Sequence, residues 1–182
     1  MYGIVHNSLL DFANDKYNSH DWDAVMSKLP DYPAEGFLLF ESYDDSTLLS
    51  MIGAVIEATK SQPTDLLIEF GQYWVLVAAP THFGAFLTLT GNDIHQFMSN
   101  INTVHDRASA LFPNYQPPSF RISGNLDNGD LQIFYSSKRE GFDDFVVGIL
   151  MGVCKRFDID ANVVASGVSE SGESIFDVRL AC

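Results

Sequence analysis

A chain of 182 residues with 46% hydrophobic and 13% aromatic side chains is long and apolar enough for one well-packed domain. Ten Lys and Arg against 24 Asp and Glu give a formal charge of −14, which argues against nucleic-acid binding and against an anionic membrane surface. The N-terminus has no secretory pattern, the longest apolar run is too short to span a bilayer, and Cys154 and Cys182 lack metal spacing, so we expect a cytoplasmic protein with reduced thiols.

Helical patterns account for the first two thirds of the chain. Apolar residues recur at helical spacing in these segments, and Asp, Ser, Thr or Asn residues suited to helix N-caps begin the later ones. We expect Pro80 to end the fourth segment, because proline interrupts a helix interior. The predicted helices are 3–17, 20–28, about 45–60, 64–78, and a helix that begins at Asn92 or Asp93 and ends before Pro113.

The last third of the chain has the alternating pattern of β-strands, with one helical segment inserted. Residues 119–123 and 131–139 are predicted to form a hairpin, and a helix is expected from about Asp143 to Phe157. NVVASG and SIFDVRLA form a second predicted hairpin around SESGE. Helices followed by strands predict an α+β fold, with a four-stranded antiparallel sheet in the C-terminal part.

Motifs typical of enzymes are missing from the sequence. It contains no GxSxG, no P-loop, no Rossmann glycine pattern and no HExxH. The five histidines are scattered and the two cysteines are far apart, which does not match the spacing of a zinc site. We therefore do not expect an enzyme.

His105 lies on the apolar stripe of the fifth predicted helix, four residues after Ile101 and three before Ala108. A histidine in this position has two interpretations. It is either a core histidine bonded to a backbone carbonyl, or a neutral imidazole that ligates haem iron. Spacing alone leaves both open.

The stretch FYSSKREGF contains three polar side chains at alternate positions, Tyr135, Ser137 and Arg139. If the strand continued to Arg139, all three would lie on one face. Two hydroxyls and a guanidinium would then suit a ligand with two carboxylates, such as the propionates of haem. The alternative is a solvent-facing strand end with incidental polar residues.

These residues carry a resemblance to a known family. Y-x-S-x-R follows a helix that ends HDRASALFP and the sequence PPSF, and MYGIVHNSLLDF, LLIEFGQYWV and YSSKREGFDDFVVGIL add to the pattern. The chain resembles the haem–nitric oxide/oxygen binding (H-NOX) domains, the family of the haem domain of soluble guanylate cyclase. The resemblance implies one bacterial-type sensor domain, with a helical subdomain (about 1–62), an α+β subdomain (about 63–182) and haem between them.

The resemblance also implies residue roles. His105 would be the proximal iron ligand, Tyr135, Ser137 and Arg139 would hold the propionates, and Pro118 would press on the macrocycle. The cofactor would be haem b (iron protoporphyrin IX), bound non-covalently, in agreement with the absence of CxxCH.

Gas selectivity is expected to depend on the distal pocket. Phe145 occupies the position where oxygen-binding relatives carry a tyrosine, as counted back from Gly148, and phenylalanine cannot donate a hydrogen bond. The pocket residues Val5 and Leu9 are also apolar, and only Trp74 offers a donor, its indole N–H. We therefore expect nitric oxide, and also carbon monoxide, to be bound in preference to oxygen.

In the mechanism that the resemblance implies, nitric oxide weakens or breaks the bond between iron and His105, and the resulting shift is relayed to a separate protein. A histidine kinase or a cyclic-dinucleotide enzyme would be the partner. Gly71 is either a hinge or a close helix–helix contact. With only Cys154 and Cys182 present, we expect no cysteine-rich zinc site.

Two alternatives remain at this point. One is oxygen sensing or oxygen binding on the same scaffold, which would depend on Trp74 as a donor. The other is a haem-free interaction domain or carrier of apolar ligands, in which His105 is a core residue. The chain is expected to be a stand-alone sensor or a fragment of a longer receptor.

Overall fold

The computed structural model describes residues 1–17, 19–29, 32–33, 35–112, 114–125 and 130–180, and within them it has an α+β architecture. The chain divides into two compact units, Met1–Leu66 and Leu67–Cys182. The elements, in chain order, are α1 Gly3–Lys16, α2 Ser19–Lys28, α3 Asp45–Thr59, α4 Pro63–Tyr73, a π-helical turn Trp74–Ala78, α5 Ala79–Leu87, a 3₁₀ turn Thr88–Thr90, α6 Ile94–Leu111, β1 Ser119–Asn125, β2 Asp130–Ser136, α7 Asp143–Arg156, β3 Ala161–Val168 and β4 Ser174–Leu180.

The first unit packs α1, α2 and α3 against one another. Its core consists of apolar side chains that repeat at helical spacing on these helices. The N-terminal ammonium of Met1 bonds to Asp45 at 2.6 Å, and Tyr2 forms an isolated antiparallel bridge with Ser42. Buried members of the core are Leu9, Phe12, Val25, Leu48, Met51 and Val55.

The second unit contains a four-stranded antiparallel sheet in the order β1-β2-β4-β3. Both predicted hairpins are present, and β2 and β4 join them. One face of the sheet contributes alternate side chains to the core with α7, among them Leu131, Ile133, Phe176 and Val178. The predicted α+β class is confirmed.

Glycines permit a close crossing of α4 and α7 in the second unit. A Cβ on Gly71 would lie 2.3 Å from the Phe145 carbonyl oxygen, and one on Gly148 would lie 2.0 Å from the Ile68 carbonyl oxygen. No larger residue fits at either position without moving a backbone. Gly71 is thus a contact glycine in this structure, which is one of its two predicted roles.

The prediction that Pro80 ends the fourth helix is wrong. The Ala79 N–H bonds to the Trp74 carbonyl five residues back, and this π-helical turn leads into α5, where Pro80 lies in the first turn. Proline is tolerated there because the first-turn N–H groups need no partner within the helix. In the part of the chain that the structure describes, no single helix is both long and apolar enough to cross a bilayer, whereas Pro63–Thr90 and Ile94–Ala110 meet that test only as a pair bent by 109°.

Candidate functional site

Helix α6 carries His105 on its apolar side. The helix begins after Asp93, whose side chain accepts a hydrogen bond from the Gln96 N–H at 2.9 Å and so acts as the N-cap. The half-buried imidazole of His105 lies 6.3 Å from the ring of Tyr115 and 6.0 Å from the ring of Phe120, measured between centroids. His105 is thus placed among aromatic side chains, as its position on the stripe predicts.

The electrostatics of His105 favour a neutral imidazole. Burial lowers the pKa of His105. A hydrogen bond with the backbone of Pro118 and the negative charge of Asp106 raise it, but by less. Nδ1 is buried and has no partner at normal hydrogen-bond geometry among the described residues. A hydrogen bond to a backbone carbonyl suits both interpretations, because a metal-ligating imidazole also donates its other ring N–H to such a group. The geometry therefore leaves both the core histidine and the ligand-binding imidazole open.

The strand that carries Tyr135 is shorter than predicted. β2 ends at Ser136, so Ser137 and Arg139 are not strand residues and do not share a face through strand alternation. The last pair of the ladder joins Ser136 to Ser119, and the residue before Ser119 is Pro118, which has no N–H to extend the ladder. Beyond this point the Arg139 N–H donates to Ser137 Oγ at 3.1 Å, which turns the chain.

The three polar side chains nevertheless cluster. Burial raises the pKa of Tyr135, and a hydrogen bond from Ser137 and the charge of Arg139 oppose that shift. The Arg139 guanidinium also donates from Nη1 to the Gln116 carbonyl at 3.0 Å. A turn, rather than a continued strand, therefore brings together the two hydroxyls and the guanidinium.

Tyr115 joins His105 to this cluster, and the sequence analysis missed it. Burial raises the pKa of Tyr115 to about 12, with Arg139 opposing the shift and Tyr135 adding to it. Its ring also faces His105. The only sign of Tyr115 in the sequence is that a large aromatic residue occurs in a short segment bounded by Pro113 and Pro117.

Asn102 fixes α6 to the start of β1 and was also missed. Its Nδ2 donates to the Phe120 carbonyl at 2.6 Å, and the Phe120 N–H donates to Asn102 Oδ1 at 3.0 Å. Phe120 pairs with Tyr135 across the β1–β2 ladder, and their ring centroids are 5.3 Å apart. Asn102 lies one turn before His105, so this side chain sets the position of the histidine relative to the Tyr135 cluster.

The residues expected around a gas ligand are distributed over both units. In the second unit, Phe145 is half-buried on α7 with its ring 5.1 Å from Phe70, and Trp74 is half-buried in the π-helical turn and packs on the core. In the first unit, Val5 and Leu9 lie one turn apart on α1, with Val5 half-buried and Leu9 fully buried.

The described residues contain no candidate metal site built from His, Cys, Asp and Glu, and their one cysteine is buried. Within them, no three His, Cys, Asp or Glu side chains come together as metal ligands. Burial raises the pKa of the Cys154 thiol to about 11, so this cysteine is an unreactive core residue at neutral pH. Cys182 lies outside the described residues.

Comparison with known proteins finds similar proteins along nearly the whole length of the chain. Soluble guanylate cyclase 89Db of Drosophila melanogaster is 24% identical over 184 residues that cover 99% of this chain, which spans about a quarter (27%) of the length of that cyclase. The unliganded Fe(II) H-NOX protein of K. algicida has a TM-score of 0.78 at 20% identity, with 100% of this chain and 97% of that chain covered. An H-NOX protein from S. oneidensis in the Fe(II)NO ligation state has a TM-score of 0.79 at 20% identity, with both chains fully covered.

The sequence profile of the Haem-NO-binding family matches residues 2–165, which is most of the chain. The fold of this chain matches the two solved structures over its whole length. The α+β fold agrees with that match. The protein therefore belongs to the Haem-NO-binding (H-NOX) family of haem-based gas-sensing domains.

Proposed function

We propose that the protein is a nitric oxide sensor that binds haem b non-covalently, with His105 as the iron ligand. The observation that supports this proposal is the half-buried imidazole of His105, whose pKa burial lowers, in ring contact with Tyr115 beside the Tyr135 cluster. When bound, haem supplies a ferrous iron with a coordination position open to a diatomic gas.

The side chains present fit the polar edge of a haem. Arg139 supplies a guanidinium fork and Tyr135 and Ser137 supply hydroxyl donors, which together suit the two propionate carboxylates. The bond from Arg139 to the Gln116 carbonyl and the turn at Ser137 hold these donors before any ligand arrives. Pro118 lies between His105 and β1 in the chain and would face the macrocycle.

The choice of gas follows from the donors available to it. Bound oxygen carries partial negative charge and is stabilised by a hydrogen-bond donor, whereas nitric oxide and carbon monoxide need much less help. Phe145, Val5 and Leu9 have no donor, which supports nitric oxide as the physiological ligand. Trp74 has an indole N–H and is half-buried, and it is the one residue that supports the alternative of oxygen sensing.

The signal would leave the site through α6. His105 would hold the iron from this helix, and the two hydrogen bonds between Asn102 and the Phe120 backbone hold the same helix to β1. A weaker bond between His105 and iron would therefore leave α6 held in part by Asn102. The two alternative positions of α6 would differ in their affinity for the gas and for a partner, as any ligand-driven switch requires. The partner would be a histidine kinase or a cyclic-dinucleotide enzyme.

Absorption spectroscopy of the haem-loaded protein tests the proposal. Spectra are recorded reduced and anaerobic, then after nitric oxide, and separately after exposure to air. We expect nitric oxide to shift the haem band and air to yield no stable complex with oxygen. A stable oxygen complex that Trp74→Phe abolishes would instead establish the oxygen-sensing alternative, and absence of any haem band after reconstitution would reject both.

A further inference from the structure

The loop between α2 and α3 exposes three adjacent large apolar side chains. Leu38, Leu39 and Phe40 are 55%, 36% and 59% exposed. Single exposed apolar residues are common on protein surfaces, but three in succession on one short loop concentrate apolar surface, as interaction sites do. Residues 35–44, all of which the structure describes, are called the 35–44 loop below.

Backbone hydrogen bonds hold the 35–44 loop in place. The Gly3 N–H donates to the Glu41 carbonyl at 2.9 Å, and the Ile4 N–H donates to the Leu39 carbonyl at 3.0 Å. A Cβ on Gly3 would lie 2.2 Å from the Leu38 carbonyl oxygen, so glycine is required for this close approach. The loop is therefore fixed to the start of α1, although the side chains of residues 38–40 are exposed.

Phe37 anchors the base of the loop. It is buried, with its ring stacked 4.5 Å from His6 and lying 4.9 Å edge-on from Tyr43. The Asn7 amide donates to the Phe37 carbonyl at 2.8 Å. Because these contacts hold the loop backbone, a ligand that binds the three exposed side chains avoids the entropy cost of ordering that backbone.

The surroundings of the apolar patch are acidic. No Lys or Arg occurs between Lys28 and Lys60, a stretch that contains six Asp and Glu. Three of these acids, Glu35, Glu41 and Asp44, lie in the loop itself and are exposed. The Met1 ammonium bonds to the Tyr43 carbonyl and to Asp45 at one end of the loop, but the charged side chains of the loop itself are all acidic. Apolar side chains beside these acids define the chemistry of the surface that would fit.

We propose that the 35–44 loop is a docking surface for a basic amphipathic segment of a partner protein. Apolar side chains of that segment would cover residues 38–40, and its Lys and Arg would face the acidic side chains beside them. The net charge of −14 disfavours a second copy of this chain or an anionic membrane as the occupant. The inference rests on the proposed function in taking this partner to be the protein that receives the gas signal.

Fluorescence anisotropy with the full chain tests the inference. The probe is a labelled helical peptide of Leu and Lys at amphipathic spacing, and its matched control has Glu in place of Lys. We expect the Lys peptide to bind and the Glu peptide not to bind. Leu38→Ser or Phe40→Ser should weaken the affinity for the Lys peptide about tenfold. Leu89→Ser and Val168→Ser remove side chains that are 57% and 67% exposed elsewhere, and they should leave the affinity unchanged.

A charge variant provides an independent check. Glu41→Lys should weaken the Lys peptide and reduce the salt dependence of its binding, with the unfolding midpoint showing that the variant is folded. Equal losses from the Leu89 and Val168 controls, or no binding at all, would overturn the inference. So would a dimer in sedimentation that Phe40→Ser dissociates, because the occupant would then be a second copy.

Haem absorbance of the same samples separates this inference from the proposed function. If the loop variants lose peptide binding but keep their haem uptake and their response to nitric oxide, the result supports the docking surface and leaves the proposed function unaffected. Failure of every sample to take up haem would overturn the proposed sensor, while the peptide result would still decide whether the surface binds basic segments.

Discussion

Asn102→Ala should uncouple α6 from the sheet, because Asn102 makes both hydrogen bonds between that helix and the Phe120 backbone. The substitution leaves one N–H and one carbonyl of β1 without these partners. A lost hydrogen bond costs about 0.5–1.5 kcal/mol and a stranded buried group more, so for this partly buried pair we expect a loss of about 2 kcal/mol in the free energy of unfolding. For a chain of this size that corresponds to a fall of about 4–8 °C in Tm.

The control for this prediction lies on the same helix. The Asn100 side chain donates from Nδ2 to the Thr90 carbonyl at 3.2 Å, in the 3₁₀ turn rather than in β1. Asn100→Ala should therefore cost about half as much, roughly 1 kcal/mol. Tm is measured by circular dichroism for both variants.

Haem retention distinguishes positioning of His105 from general stabilisation. The rate of haem transfer to an excess of apomyoglobin should rise several-fold in Asn102→Ala and remain unchanged in Asn100→Ala. An Asn102→Ala variant with the Tm and haem-transfer rate of the wild type would refute the view that this side chain positions His105.

Three further predictions concern packing, protonation and gas choice. Gly71→Ala should lower the free energy of unfolding, measured by urea denaturation, by about 1–3 kcal/mol, because the added Cβ would overlap the Phe145 carbonyl. Gly53→Ala on α3 has open space around it and should raise the free energy of unfolding by about 0.5–1 kcal/mol. Equal effects at the two sites would contradict the close crossing. Burial lowers the pKa of His6, so the unfolded chain takes up a proton near pH 6.5 before the folded one does, and stability should fall as the pH drops from 7.5 towards 5.5. His6→Gln should reduce that fall in the urea midpoint, and an unchanged pH dependence would show that His6 does not cause it. Phe145→Tyr adds a phenolic donor and should slow autoxidation in air and stabilise oxygen binding, as followed by the haem spectrum; no change would argue that position 145 does not face the gas.

The features that sequence predicted correctly depend on local patterns. Alternation in 119–123 and 131–136, and in the two C-terminal strands, reports which face of the sheet is buried, and the periodic stripe from Ile94 places His105 on the inner side of α6. An N-cap at Asn92 or Asp93 is recognisable because its role involves only the next three residues, and the structure shows that Asp93 is the cap. Local rules suffice when both partners lie within one turn.

The features that sequence missed depend on partners far apart in the chain. Asn102 reads as a polar helix residue, and its function comes from a backbone 18 residues away. Tyr115 gains its role from Arg139 and Tyr135. The early end of β2 depends on Pro118 of the neighbouring strand rather than on anything between Tyr135 and Arg139, and the tolerance of Pro80 depends on the π-helical turn that precedes it.

The ferrous absorption spectrum of His105→Gly, recorded with and without added imidazole, tests the central claim most directly. If His105 holds the iron, the variant should lose the ferrous band of the wild type, and free imidazole that enters the space left by the side chain should restore it. Tyr115→Phe, which keeps the ring beside His105, should retain the wild-type band as a control. A His105→Gly variant that binds haem with an unchanged ferrous spectrum in the absence of imidazole would contradict the assignment of this histidine as the iron ligand.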